Sequence, residues 1–74
     1  MSGYHYRGEK ARLLGRLDGE MCARLRPDTY DPEKGFACRQ RDLTEDDRDE
    51  YFRCYEAAYD VIVERALQAT LSRL

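Results

Sequence analysis

Three tyrosines set four residues apart, Tyr51, Tyr55 and Tyr59, lie in the middle of a stretch that reads as one continuous amphipathic helix from Thr44 to the end of the chain. Residues four apart share a helix face, one turn above another. A polar ribbon, Asp49, Arg53, Glu56, Asp60, Glu64, Gln68 and Ser72, runs along one side, and most of the remainder is apolar. A helix of that breadth needs cover on more than one side. The rest of a 74-residue chain offers little cover, because a domain this small buries only about 60% of its unfolded surface.

The helix start is well marked. Thr44 suits the N-cap, with Asp47 three residues on in the arrangement of a capping box. Glu45, Asp46, Asp47, Asp49 and Glu50 crowd the first turns, where the helix dipole favours negative charge.

A second helical period runs from Arg7 to Arg26. Leu14, Leu17, Met21 and Leu25 make one apolar stripe, widened by Leu13. Beside it lies a row of small residues, Gly8, Ala11, Gly15, Gly19 and Cys22. Each interior glycine weakens a helix by up to ~1 kcal/mol against alanine. Such a row lets another helix approach closely; alternatively, Gly15 or Gly19 bends or ends the helix. Pro27 stops it in either case. Between the helices, residues 27–43 form a long connector. Asp31-Pro32-Glu33-Lys34-Gly35 reads as one capped turn, with Asp31 as N-cap and Gly35 as exit. Tyr30 and Phe36 flank this turn and are expected to pin it to the helices.

These elements predict a single small all-α domain spanning residues 1–74. It is a helical hairpin of two main helices (7–26 and 44–73) joined by a long connector with a short helical turn. The uncovered apolar surface predicts pairing of two hairpins into a four-helix homodimer. Phe52, Ile62, Leu67, Leu14 and Leu17 are the expected dimer contacts.

Charge divides unevenly. Residues 1–41 carry nine Lys/Arg against six Asp/Glu, a net of +3, and residues 42–74 four against nine, a net of −5. The two halves are expected to attract one another, within the fold or between subunits. No segment approaches the ~18 apolar residues of a membrane span. The N-terminus also lacks the basic-then-apolar pattern of a signal peptide, so the expected location is cytoplasmic. Cys22, Cys38 and Cys54 are odd in number and lack the short-spaced pairs of a zinc site, so free thiols are expected and no metal or other cofactor. The lone histidine, His5, stands near no nucleophile in sequence and reads as a solvated terminal residue. No phosphate loop or calcium loop is present. The chain is therefore expected not to be an enzyme.

The function this favours is a small non-catalytic regulator that binds a larger protein through helical contacts. It would act as an inhibitor, anti-activator or adaptor of the kind phages and mobile elements encode. Tyr51, Tyr55 and Tyr59, with Arg12 and Arg16, are the expected contacts; alternatively the three tyrosine rings are core or dimer packing, with each hydroxyl reaching the rim. An alternative places RNA or the ribosome against the basic half (Arg7, Lys10, Arg12, Arg16, Arg24, Arg26 and the connector cations), with Tyr4, Tyr6 and Tyr30 meeting bases. A pI of about 5.3 weighs against it, since nucleic-acid domains commonly exceed ~9. A further alternative is that the acidic helix start mimics a nucleic-acid backbone. The segment Arg48 to Ala58 resembles, over eleven residues, the second helix of ribosome modulation factor, a short bacterial helical hairpin. The tryptophans and glycines of that family are absent, and the segment does not assign the chain to it.

Overall fold

The computed structural model describes residues 8–73 and is all-helical. The expectations for Tyr4, His5, Tyr6, Arg7 and Leu74 fall outside the described residues. Helix α1 runs Glu9–Leu25, α2 Pro32–Ala37 and α3 Arg48–Ser72, the last entered through a 3-10 turn at Glu45–Asp47. Among these helices none is long and apolar enough to cross a membrane.

Each boundary has a local cause. Gly8 precedes α1 at φ 81°, a left-handed conformation that glycine adopts without strain. At the other end the turn before and after Pro27 is stapled: the Arg26 N–H donates to the Cys22 carbonyl at 2.8 Å, and the Thr29 hydroxyl to the Arg26 carbonyl at 2.9 Å. Asp31 caps α2 by accepting from the Lys34 N–H at 3.1 Å, with Pro32 in the first turn. The Asp47 carboxylate accepts from the Thr44 N–H at 2.9 Å, closing the expected capping box. Gly35 is not the exit of this turn, because α2 continues through it to Ala37. A Cβ there would collide with the Tyr51 hydroxyl and come within 3.3 Å of the Tyr55 ring. That position is glycine to make room for tyrosine, not to end a helix.

The two main helices pack against each other, but not as a hairpin. Arg12 meets Glu50, Gly15 meets Tyr51, Gly19 meets Tyr55, and the Pro27 carbonyl accepts from the Tyr59 hydroxyl. Numbers rise together along both helices, so α1 and α3 are parallel. A short connection would enforce an antiparallel pair. Residues 26–47, even with α2 folded, have ample reach to return the ~25 Å length of a 17-residue helix. The connector lies against the α1–α3 seam on the way back. Tyr30 packs edge-on against Tyr55 and Tyr59, and Phe36 against Tyr51 and Phe52, with ring centroids 4.8–6.2 Å apart. Tyr30 and Phe36 thus pin the connector as expected. Parallel helices also bring two positive dipole ends together, and Glu9, Glu45, Asp46 and Asp47 in their first turns offset them.

The small-residue row is the packing face of α1. A Cβ on Gly15 would lie 2.5 Å from the Tyr51 carbonyl oxygen and 3.2 Å from its Cα; one on Gly19 would collide with the Tyr55 carbonyl. The helix neither bends nor ends at these glycines; it uses them. The core is accordingly small: Ala11, Cys22, Phe36, Leu43, Tyr51 and Tyr55, with Leu14, Phe52 and Tyr59 packed against it. Of the leucine stripe only Leu14 touches this core, and the rest stands in solvent. Leu13 is 62% exposed, Leu17 45%, Met21 48% and Leu25 69%. Beyond Val63 every residue of α3 through Ser72 is exposed, because α1 ends level with the middle of the longer helix.

Candidate functional site

Inside the fold, a polar knot joins three elements. The Arg39 guanidinium, just after α2, donates twice to Asp18 of α1, at 2.6 and 3.0 Å. The Tyr51 hydroxyl of α3 donates to the same carboxylate at 2.5 Å. Two parallel N–H donors on a planar carboxylate fix both groups in orientation. The side chains are 29% and 16% exposed for Arg39 and Asp18, so the pair is partly shielded from water. Burial, and then the hydrogen bond to Asp18, push the Tyr51 hydroxyl well above the ordinary tyrosine range. Burial, then its contact with the Cys22 thiol, raise Tyr55 to about 12. The Arg39 guanidinium is held still more firmly protonated by its hydrogen bond to Asp18. The Cys22 thiol sits beneath the turn that ends α1, its one proton shared between the Arg26 and Thr29 carbonyls at 3.4 and 3.5 Å. These groups lock α1, the connector and α3 together. Nothing in their arrangement presents a nucleophile beside a base. No cluster of metal-ligating side chains occurs among the described residues, and Cys22, Cys38 and Cys54 are unpaired thiols.

The residues expected to meet a partner divide accordingly. Tyr51 and Tyr55 are buried, and Tyr59 is half-buried with its hydroxyl on the Pro27 carbonyl. Their rings are spent on the connector, so they present no ladder to an outside protein. Phe52 and Leu14 are likewise half-buried against the core, and the Arg48 guanidinium lies 4.8 Å over the Phe52 ring. Phe52 and Leu14 each keep only part of the side chain accessible. Leu17 and Leu67 are exposed as a seam would require, on different helices.

Arg12, Arg16 and Ile62 come together elsewhere, on the side of the α1–α3 pair opposite the connector. There an open groove has a floor of Cys54, Ala57, Ala58, Val61 and Ile62 from α3 with Leu13 from α1. Its rim carries Arg12, Arg16, Arg24 and Arg65 together with Glu9 and Glu20. Arg12 reaches Glu50 at 3.3 Å, and Arg16 reaches Glu20 of its own helix at 3.4 Å. Arg24 and Arg65 have no ion pair among the described residues. The expected attraction between basic and acidic halves takes the form of Arg12–Glu50; Arg39–Asp18 lies within the first half, and Arg48–Glu33 runs in the opposite sense at 3.1 Å.

Asp18, Arg39 and the alanine floor were not singled out by sequence reasoning. A carboxylate set between Leu14, Leu17 and Met21 was the available signal for the knot. The adjacent Ala57-Ala58 ahead of Val61-Ile62 was the signal for the groove. No protein-family model matches the chain, and neither the curated proteins nor the solved structures contain a match.

Proposed function

We propose that this chain is a small non-catalytic regulator that binds a larger protein, acting as an inhibitor, anti-activator or adaptor. One observation carries the reading. The fold buries Tyr51 and Tyr55 and leaves aliphatic side chains in water: Leu13, Leu17, Met21 and Leu25 on α1, and Val61, Leu67 and Leu71 on α3. A contiguous exposed apolar surface on a small domain marks an association site. The partly shielded Asp18–Arg39–Tyr51 knot holds the connector in place, as suits a scaffold that displays a surface. The outer ridge of α1, centred on Leu17, serves a second copy of the chain, giving a homodimer. Each such side chain fully buried contributes ~1.5–3 kcal/mol, against a total of only ~3–5 kcal/mol for a domain of this size. The groove side, with its arginines, is left for the target.

A tagged pull-down with nuclease treatment tests the reading, run in parallel with Ala57→Arg, which fills the groove floor from an exposed position. A protein that survives nuclease and is lost in the variant, with helicity by circular dichroism unchanged, supports it. Loss of every partner on nuclease treatment shifts the function to RNA, through the same basic face.

A further inference from the structure

We infer that the groove between α1 and α3 seats an amphipathic α-helix of the partner protein, one that carries carboxylates beside a narrow apolar stripe. The inference rests on the protein-binding reading and names the chemistry of its site. Three features of the groove select this occupant.

The floor is shallow and small. Cys54, Ala57 and Ala58 allow a helix backbone to come close, while Leu13, Val61 and Ile62 supply apolar area on either side. The dimensions suit a helix. The α1 wall runs from Glu9 to Arg24, about 22 Å, and the α3 wall from Cys54 to Arg65, about 17 Å, so the groove accommodates roughly three helical turns. The rim then selects charge. Arg12 and Arg16 are one turn apart, Arg24 lies two turns further along the same wall, and Arg65 stands on the opposite one. Four cations face two anions; Arg12 is engaged by Glu50 and Arg16 by Glu20, which leaves Arg24 and Arg65 without an ion pair among the described residues. Guanidinium groups at that spacing meet carboxylates on successive turns of a docked helix and can bind each in a bidentate fork.

The same features disfavour other occupants. A second copy offering its own groove would bring an equal excess of arginine, and like charges across an interface oppose association. A nucleic-acid strand would meet an aliphatic floor with no aromatic ring on which to stack its bases.

Two synthetic sixteen-residue helical peptides test the inference. Both carry an Ala/Leu stripe; one is flanked by glutamates at four-residue spacing, the other by lysines at the same positions. Fluorescence anisotropy with the full chain should show the glutamate peptide binding, weakening as salt rises, and the lysine peptide binding about tenfold more weakly or not at all. Arg24→Glu with Arg65→Glu should reverse that preference. Equal binding of the two peptides overturns the inference, as does an unchanged preference in the double variant. Displacement of the glutamate peptide by a single-stranded RNA oligonucleotide at these arginines also overturns it. Should the peptides fail while the chain still retains a nuclease-resistant protein partner insensitive to Ala57→Arg, the groove assignment falls and the regulator reading stands on another surface.

Discussion

Replacing Gly15 with alanine sets two well-calibrated effects against each other. Alanine is the better helix former, by up to ~1 kcal/mol at an interior position. If α1 were an ordinary surface helix, Gly15→Ala would therefore raise the melting temperature. In this fold the new methyl would sit 2.5 Å from the Tyr51 carbonyl oxygen and 3.2 Å from two further backbone atoms. Normal carbon–oxygen contact needs most of an ångström more. The obstacle is backbone, which has no rotamer to yield. The helices must separate, and overpacking of this kind costs roughly 1–3 kcal/mol. Because the rest of the seam loosens with them, the upper half of that range is expected, outweighing the gain in propensity by about 1–2 kcal/mol. In a domain of this size each kcal/mol moves Tm by about 4–8 °C. Gly15→Ala should accordingly melt about 5–15 °C lower, followed by circular dichroism at 222 nm and one fixed protein concentration. Gly19→Ala, which meets the Tyr55 carbonyl in the same way, should behave alike. The double variant should cost less than the sum, since one displacement relieves both clashes. A rise in Tm for either single variant would refute the close parallel packing on which the fold rests.

Tyr51→Phe removes the hydroxyl that donates to Asp18 at 2.5 Å and should lower stability by about 1.5–3 kcal/mol in urea unfolding, as expected for a hydrogen bond to a charged group. Phe36→Ala should cost about 3–5 kcal/mol and leave much of the chain unfolded at 25 °C, whereas Leu17→Ser, on the exposed ridge, should change the stability of the single chain by less than ~0.5 kcal/mol and abolish self-association in sedimentation velocity. Alkaline stability follows from the two raised tyrosines. Unfolded tyrosine ionises near pH ~10, while folded Tyr51 and Tyr55 keep their protons, so their contribution is intact below that pH and is lost as pH rises above it, at up to about 1.4 kcal/mol per pH unit for each group. Urea midpoints that do not change between pH 9 and 11 would contradict the burial of these hydroxyls.

Much of the local structure was legible in the sequence. The capping residues Thr44, Asp47 and Asp31 and the stop at Pro27 act through neighbours a few residues away, the aromatics Tyr30 and Phe36 stand out in a polar connector, and each is found in its expected role. What the sequence concealed was direction. Hydrophobic periodicity reveals which residues share a helix face, but Leu14-Leu17-Met21-Leu25 and Ala11-Gly15-Gly19-Cys22 have the same period. The larger residues promised more buried area. The smaller ones won because only they admit the α3 backbone with its bulky tyrosines already committed to the connector. Helix orientation likewise depends on whether a long connector crosses back or turns, which its composition does not encode. The Asp18–Arg39–Tyr51 knot joins residues up to thirty-three positions apart and exists only once that orientation is set. The groove floor, made of alanines and a cysteine with no periodic signature of their own, emerges for the same reason.

The parallel register carries a kinetic consequence. In an antiparallel pair the first contacts form beside the turn and the helices close progressively from there. Here Gly15 finds Tyr51 and Gly19 finds Tyr55, each across thirty-six residues, and even Pro27 and Tyr59 are thirty-two apart. The two ends of the seam differ little in sequence separation, thirty-eight at Arg12–Glu50 against thirty-two at Pro27–Tyr59, so neither is a short loop from which the chain can begin zipping. Nearly the whole loop must be ordered before the first interhelical contact rewards it, and folding should be slow for an all-helical protein of this length.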